Sequence, residues 1–281
     1  MQELAYVNGT ITSIAEARVP IEDRGYQFGD AVYEFFATYH GTVFAMPEHL
    51  ERLQRSLTML DFPPVDLDRI ERAIRHLLDE SGISRAGIYL QISRGVAPRN
   101  HPFPADAHPQ VVITVRRAKE IPEHLRSEGA KVITVEDLRW GRCDIKSVQL
   151  LPNTLAKQQA LQAGADDAIF ISPSGYAREG TSSNLFIARG DQLFTHPLTH
   201  EILPGVTRRV ILNICREENI PVQETLFDKK QMMAADEVFL TGTVTEVLPV
   251  SQIDGSPIGQ GRPGAFAGRL QSLLRQRAGG E

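Results

Sequence analysis

Met46, Leu50, Leu53, Leu57 and Leu60 recur at intervals of four, three, four and three residues, the stripe of an amphipathic helix whose apolar face has to be covered. Pro47 falls in its first turn, where proline is tolerated. A second helix follows at once. Asp66 is placed to cap it, Leu67, Ile70, Ile74, Leu77 and Leu78 form its buried face, and Gly82 closes it. The cover is strand-like. Asn8-Gly9, between residues 4–7 and 10–14, reads as a two-residue hairpin turn, and so does His40-Gly41, between residues 32–39 and 42–45. Further strands near residues 88–93 and 111–115 complete an α+β layer of the kind two amphipathic helices need.

The chain then changes style. The polar stretch 116–123, with Pro122, reads as a linker, which divides the molecule into an N-terminal α+β domain (1–117), a connection (118–122) and a larger C-terminal domain (123–281). In the second part, strands are expected near residues 131–135, 168–171, 185–188, 192–195, 237–240 and 247–253. Helices are expected over residues 152–163, from about Gly205, and over 263–275.

Composition narrows the class. Hydrophobic residues at 42% and charged residues at 23% are ordinary for a folded protein and exclude wholesale disorder. Thirty Lys and Arg against 35 Asp and Glu leave a net charge of −5, so no basic field favours nucleic acid. Cys143 and Cys215 are far apart and read as reduced thiols of a cytoplasmic protein. No signal peptide is expected from the first residues, and no apolar run is long enough for a membrane span.

Three apparent motifs fail on context. Residues 259–264 have the glycine spacing of a dinucleotide loop but no βαβ unit after them, so they read as a turn. His196 and His200 have the spacing of helical metal ligands, yet Pro197 interrupts them and a loop is expected. Neither a Gly-x-Ser-x-Gly elbow nor a phosphate-binding Gly-Lys loop occurs.

Chemistry concentrates elsewhere. Of only six lysines, Lys146 alone lies between an expected strand and an expected helix, in Cys143-Asp144-Ile145-Lys146-Ser147-Val148. A solvated surface lysine accounts for that spacing; the alternative is a partly desolvated amine able to form a Schiff base. Glu179-Gly180-Thr181-Ser182-Ser183-Asn184 offers a carboxylate, small hydroxyls and close backbone approach, or simply a polar turn. The helix opening at Gly205-Val206-Thr207-Arg208 suits a phosphate, as many helix N-termini do, and Thr241-Gly242-Thr243 ends a strand with further hydroxyls. Arg99-Asn100-His101, between Pro98 and Pro102, can grip a carboxylate or simply face solvent.

Taken in order, Arg24-Gly25-Tyr26-Gln27-Phe28-Gly29-Asp30, Cys143-Asp144-Ile145-Lys146-Ser147 and Glu179–Asn184 resemble the class IV aminotransferases, the fold-type IV pyridoxal-phosphate enzymes. The likeness runs from about Tyr6 to Leu274. Arg99-Asn100-His101, and Trp140 with Arg142, make it most similar to the bacterial D-amino-acid transaminases of that family. The resemblance implies a two-domain α+β / α/β fold with a mixed, barrel-like sheet in the C-terminal domain. It also implies pyridoxal 5'-phosphate held by Lys146 through a Schiff base, with Glu179 facing the pyridine nitrogen and Leu203 against the ring. Arg52, Val206, Thr207 and Thr243 would contact the phosphate. Tyr33, Arg99 and His101 would trap the substrate carboxylate, the last two reaching across from a second subunit of a homodimer. The implied reaction moves an amino group from a D-amino acid such as D-alanine to a 2-oxo acid such as 2-oxoglutarate, with no nucleic-acid or membrane partner.

Two departures bear on substrate preference: Ala31 where the family often has glycine, and Gly242 where the nearest relatives have serine. Two other activities belong to the same scaffold, a branched-chain L-amino-acid transaminase and an aminodeoxychorismate lyase. The Arg99/His101 pair speaks against both. A non-catalytic binding protein of this fold would have no need of Lys146, Glu179 and Arg52 together.

Overall fold

The structure, a computed structural model describing residues 1–279, divides into two compact units. The first comprises Met1–Lys119 together with Ile145–Gln149, and the second comprises Glu120–Asp144 and Leu150 onward. The short segment around Lys146 therefore belongs to the first unit although the chain on either side of it belongs to the second.

In the first unit, β1 (Leu4–Val7) and β2 (Thr10–Ser13) form the first hairpin, with Asn8 and Gly9 both at positive φ as a tight primed turn requires. A five-residue helix, α1 (Arg24–Phe28), precedes β3 (Ala31–Tyr39), which turns at His40-Gly41 into the short β4 (Thr42–Val43). Helices α2 (Met46–Met59) and α3 (Leu67–Ser81) follow, the latter capped by the Asp66 carboxylate on the Arg69 N–H and ended at Gly82 in the left-handed region. Then come β5 (Ala86–Ser93) and β6 (Gln110–Arg117). The antiparallel sheet runs β2-β1-β6-β5-β3-β4. Leu50, Leu53 and Leu57 of α2 and Ile70, Ile74 and Leu77 of α3 join Val32, Phe36, Ile88, Leu90 and Ile113 in one core. This core is the cover that the two stripes called for.

In the second unit, α4 (Glu123–Ser127) and β7 (Ala130–Glu136) are followed by α5 (Leu151–Gln162), β8 (Asp167–Ile171), β9 (Ala177–Gly180), β10 (Asn184–Arg189) and β11 (Gln192–Thr195). Helix α6 (Val206–Glu217), β12 (Val222–Glu224), α7 (Lys229–Met233), β13 (Glu237–Gly242), β14 (Glu246–Ile253), β15 (Ser256–Pro257) and α8 (Ala265–Arg277) complete it. Strands β10-β13-β14-β7-β8-β9 pair in that order, and β9 returns to β10 through Glu179 opposite Asn184. The ring is mixed, because β7 runs parallel to both β14 and β8. It is the barrel-like sheet the resemblance implied. No helix among the described residues is long and apolar enough to cross a membrane.

The elements unforeseen in the sequence are short: α1, α4, α7, β9, β12 and β15 have five residues or fewer, too few to set a period. Of the Glu179–Asn184 segment, for which a polar turn was one of two readings, Glu179 and Gly180 form the end of β9. Residues 196–200 and 259–264 lie outside helices and strands, in line with the loop readings.

Candidate active site

In the first unit the Lys146 segment lies along β3. The Tyr33 N–H donates to the Lys146 carbonyl (3.0 Å), the Val148 N–H to the Ala31 carbonyl (3.2 Å), and Val32 bridges Ser147. The Lys146 N–H donates to Ser56 Oγ on α2 (3.3 Å). These bonds leave the side chain half-buried, with Nζ 4.2 Å from the centroid of the Tyr33 ring. An amine on an aromatic face is partly desolvated yet still reachable, which suits a nucleophile better than a surface lysine. Tyr33 and Lys146 are thus brought together.

Arg52 projects from α2 onto the other face of β3. Its Nε and Nη2 donate to the two oxygens of Glu34 (2.8 and 2.7 Å), and Nδ1 of His49 lies 2.7 Å from the same carboxylate. Burial alone would push the Glu34 carboxyl up, but Arg52 and His49 hold it down at about 2. Burial pushes His49 below its ordinary range against the opposing pull of Glu34. Arg52 is therefore a fixed cation rather than a flexible one. Glu34 went unnoticed in the sequence, though a lone charge inside the apolar run of residues 31–39 marks it.

Arg99 and His101 are exposed and lie on a loop against α1. The Arg99 guanidinium sits 4.9 Å from the Phe28 ring centroid, and the His101 ring lies 5.5 Å from the same centroid. They share one face of the loop.

In the second unit Glu179, at the end of β9, is buried and accepts from three donors: Nη1 of Arg139, Nδ2 of Asn184 (3.1 Å) and the Leu203 N–H (3.1 Å). Asn184 also donates to the Leu203 carbonyl (2.9 Å), so one amide ties Glu179 to the Leu203 backbone. Arg139 is itself held by Asp137 through Nε and Nη2 (2.9 and 2.8 Å). Burial nevertheless leaves the Glu179 carboxyl above its usual range despite Arg139. Arg139 and Asn184 are hydrogen-bond partners of Glu179 that the sequence analysis did not assign.

Leu203 leads into α6, whose first residues, Val206 and Thr207, present helix N–H groups that lack intrahelical partners. Gly205 caps α6 without a side chain, and a Cβ there would lie 1.9 Å from Asn184 Oδ1. Thr243 lies in the turn between β13 and β14. Ser183 Oγ, Thr241 Oγ1 and Thr245 Oγ1 are buried without a hydrogen-bond partner among the described residues.

These groups fit pyridoxal phosphate. A buried carboxyl that burial holds above its usual range suits a protonated ring nitrogen, and a helix N-terminus suits a phosphate, as do hydroxyls buried without a partner among the described residues. In the first unit, taken by itself, Lys146 offers a half-buried amine of the kind such a cofactor needs.

Comparison with known proteins agrees with this chemistry. Residues 31–253 match the family "Amino-transferase class IV". The chain is 41% identical over 272 residues to the D-alanine aminotransferase of Bacillus licheniformis, covering 95% of this chain and 94% of that one. It is 38% identical to that of Staphylococcus aureus strain N315, covering 96% and 95%. Among solved structures, the branched-chain amino acid aminotransferase of Escherichia coli superposes with a TM-score of 0.90 at 26% identity, covering 97% of this chain and 93% of that one. A second branched-chain amino acid aminotransferase, from T.th. and solved with pyridoxamine 5'-phosphate, gives 0.90 at 28% identity, covering 99% and 95%. The chain belongs to the class IV aminotransferase family, whose cofactor is pyridoxal phosphate.

Proposed function

We infer that this chain is a pyridoxal-phosphate-dependent D-amino-acid transaminase that transfers the amino group of a D-amino acid such as D-alanine to a 2-oxo acid such as 2-oxoglutarate. The carrying observation is the near-full-length likeness to D-alanine aminotransferases. The branched-chain L-amino-acid reading is supported by the names of the similar solved structures, at lower identity.

Lys146 would be the covalent anchor, and Glu179 would face the pyridine nitrogen. Arg52, the Val206 N–H, Thr207 and Thr243 would hold the phosphate, and Leu203 would pack on the ring. Bound pyridoxal phosphate supplies an electron sink that makes the substrate Cα–H acidic and carries the amino group between half-reactions. Glu179, hydrogen-bonded to Arg139, would keep the ring nitrogen protonated. With the cofactor bound, Lys146 Nζ would take the proton from the substrate Cα as general base and return one as general acid. Tyr33, Arg99 and His101 grip the substrate carboxylate, and the side from which they do so selects the hand of the substrate.

Arg99 and His101 act from the partner subunit of a homodimer. The strong exposure of Ile21 (77%), Tyr26 (76%) and Phe103 (56%), large apolar side chains of the same unit, supports a second copy covering part of it. Both cysteines are unpaired and buried, which supports a cytoplasmic location.

The test is transfer from D-alanine to 2-oxoglutarate. Lys146→Ala is expected to abolish multiple turnover while retaining fold; near-normal turnover would remove Lys146 from its role. Arg99→Ala is expected to raise KM for D-alanine at least about tenfold; an unchanged KM would overturn the trap.

A further inference from the structure

The motif Arg24–Asp30 bears no role in the chemistry above, yet its side chains are among the most thoroughly bonded in the first unit. Arg24 is buried at the start of α1. Its Nε donates to Asp30 (2.8 Å), its Nη1 to the carbonyls of Asn100 (2.6 Å) and Pro102 (3.4 Å), and its Nη2 to the carbonyl of His101 (3.2 Å). One guanidinium thus spans three consecutive carbonyls of the loop that carries Arg99 and His101. Its Cζ also lies 4.7 Å from the Phe28 ring centroid, against which both those side chains pack.

The grip is itself anchored. Asp30 accepts from Arg94 as well (2.8 and 3.1 Å), and Arg94 donates to the Leu60 and Asp61 carbonyls (2.7 and 2.8 Å) with its Cζ 3.5 Å from the Phe103 ring centroid. The backbone is fixed too, since the Arg24 N–H donates to the Gly95 carbonyl and the Ala97 N–H to the Glu22 carbonyl. Burying a guanidinium on loop carbonyls takes a charge out of water, a cost that only a full set of acceptors offsets.

We propose that Arg24, locked by Asp30 and Arg94, is the positioning residue of the substrate-carboxylate trap: it sets the backbone at residues 100–102 and so the aim of Arg99 and His101. The proposal rests on the reading of those two residues as the trap. Arg24 touches neither substrate nor cofactor. Its loss loosens the hold on the carboxylate, which the amino acid and the 2-oxo acid share, and leaves the proton transfer at Lys146 in place. Lysine cannot replace it, since an ammonium lacks the planar fork that reaches three carbonyls and a carboxylate at once.

The experiment compares steady-state kinetics and cofactor affinity of holoenzyme carrying Arg24→Lys, Asp30→Asn or Arg99→Ala. For Arg24→Lys, KM for D-alanine and for 2-oxoglutarate both rise about tenfold, while kcat and the Kd for pyridoxal phosphate stay within about threefold. Asp30→Asn, near-isosteric and informative even should Arg24→Lys fail to fold, raises both KM values about threefold by weakening the anchor. Unchanged KM values in the Arg24 and Asp30 variants, with KM raised in Arg99→Ala, would overturn the positioning role alone. A fall in kcat or in cofactor affinity with KM unchanged would also overturn it, as the mark of a general structural role. Unchanged KM in Arg99→Ala would sink the trap and this proposal with it.

Discussion

Glu34 carries no exposed surface, yet it is charged, and the reason is local: the Arg52 guanidinium and the His49 ring satisfy its oxygens. Its carboxyl lies at about 2 against an ordinary 4.5, so the pair contributes stability that is fully present above about pH 4.5 and is lost as pH falls toward 2. Glu34→Gln leaves the Arg52 charge buried without its counter-ion and costs about 3 kcal/mol in urea unfolding at pH 7. The variant should also flatten the acid loss between pH 4.5 and 2; an equally steep loss would place the titrating group elsewhere. Gly205 tests the other unit. A Cβ there collides with Asn184 Oδ1, the residue that ties Glu179 to Leu203, so Gly205→Ala should weaken pyridoxal phosphate binding about tenfold by titration. Neither dependence was readable in the sequence, because each joins residues that only the fold brings together. The lone charge in the Glu34 strand was the one visible clue.

Among the elements, β3 places two kinds of chemistry by its pleat alone. Tyr33 points toward Lys146 and Tyr89, whereas Val32, Glu34 and Phe36 point to the face covered by α2. A one-residue slip against β5 would exchange Tyr33 and Glu34, so the register Tyr33↔Gln91 is part of the site. The α2 stripe holds that register from one side. Leu53→Ala in its centre, a fully buried position, should cost about 2–5 kcal/mol in urea unfolding, and a cost below about 1 kcal/mol would show that α2 is not clamping the sheet. Helices α2 and α3 and both hairpins were legible because a long apolar period or a two-residue turn is a local signal. Strand β9 was not, since four residues set no period, its register against β8 is irregular and a single residue pair, Glu179 opposite Asn184, joins it to β10. The return of the lysine segment to the first unit is a topological fact of the same kind.

Across the molecule, the order of motifs was more informative than any one of them. Lys146, Glu179 and Arg99 each had a bland explanation by spacing, and only their succession along nearly the whole chain pointed to a class IV aminotransferase, the family to which the chain belongs. What the order could not supply was support: Arg139 behind Glu179, Glu34 behind Arg52 and Arg24 behind the Arg99 loop are contacts between distant stretches. The proposed substrate turns on this scaffold taking the amino group from a D-amino acid. That is read from the visible absorption of the pyridoxal-phosphate-loaded protein before and after D-alanine is added without an acceptor, with L-leucine in parallel. A D-amino-acid transaminase loses the band with D-alanine and keeps it with L-leucine; bleaching by L-leucine alone would overturn the assignment of hand.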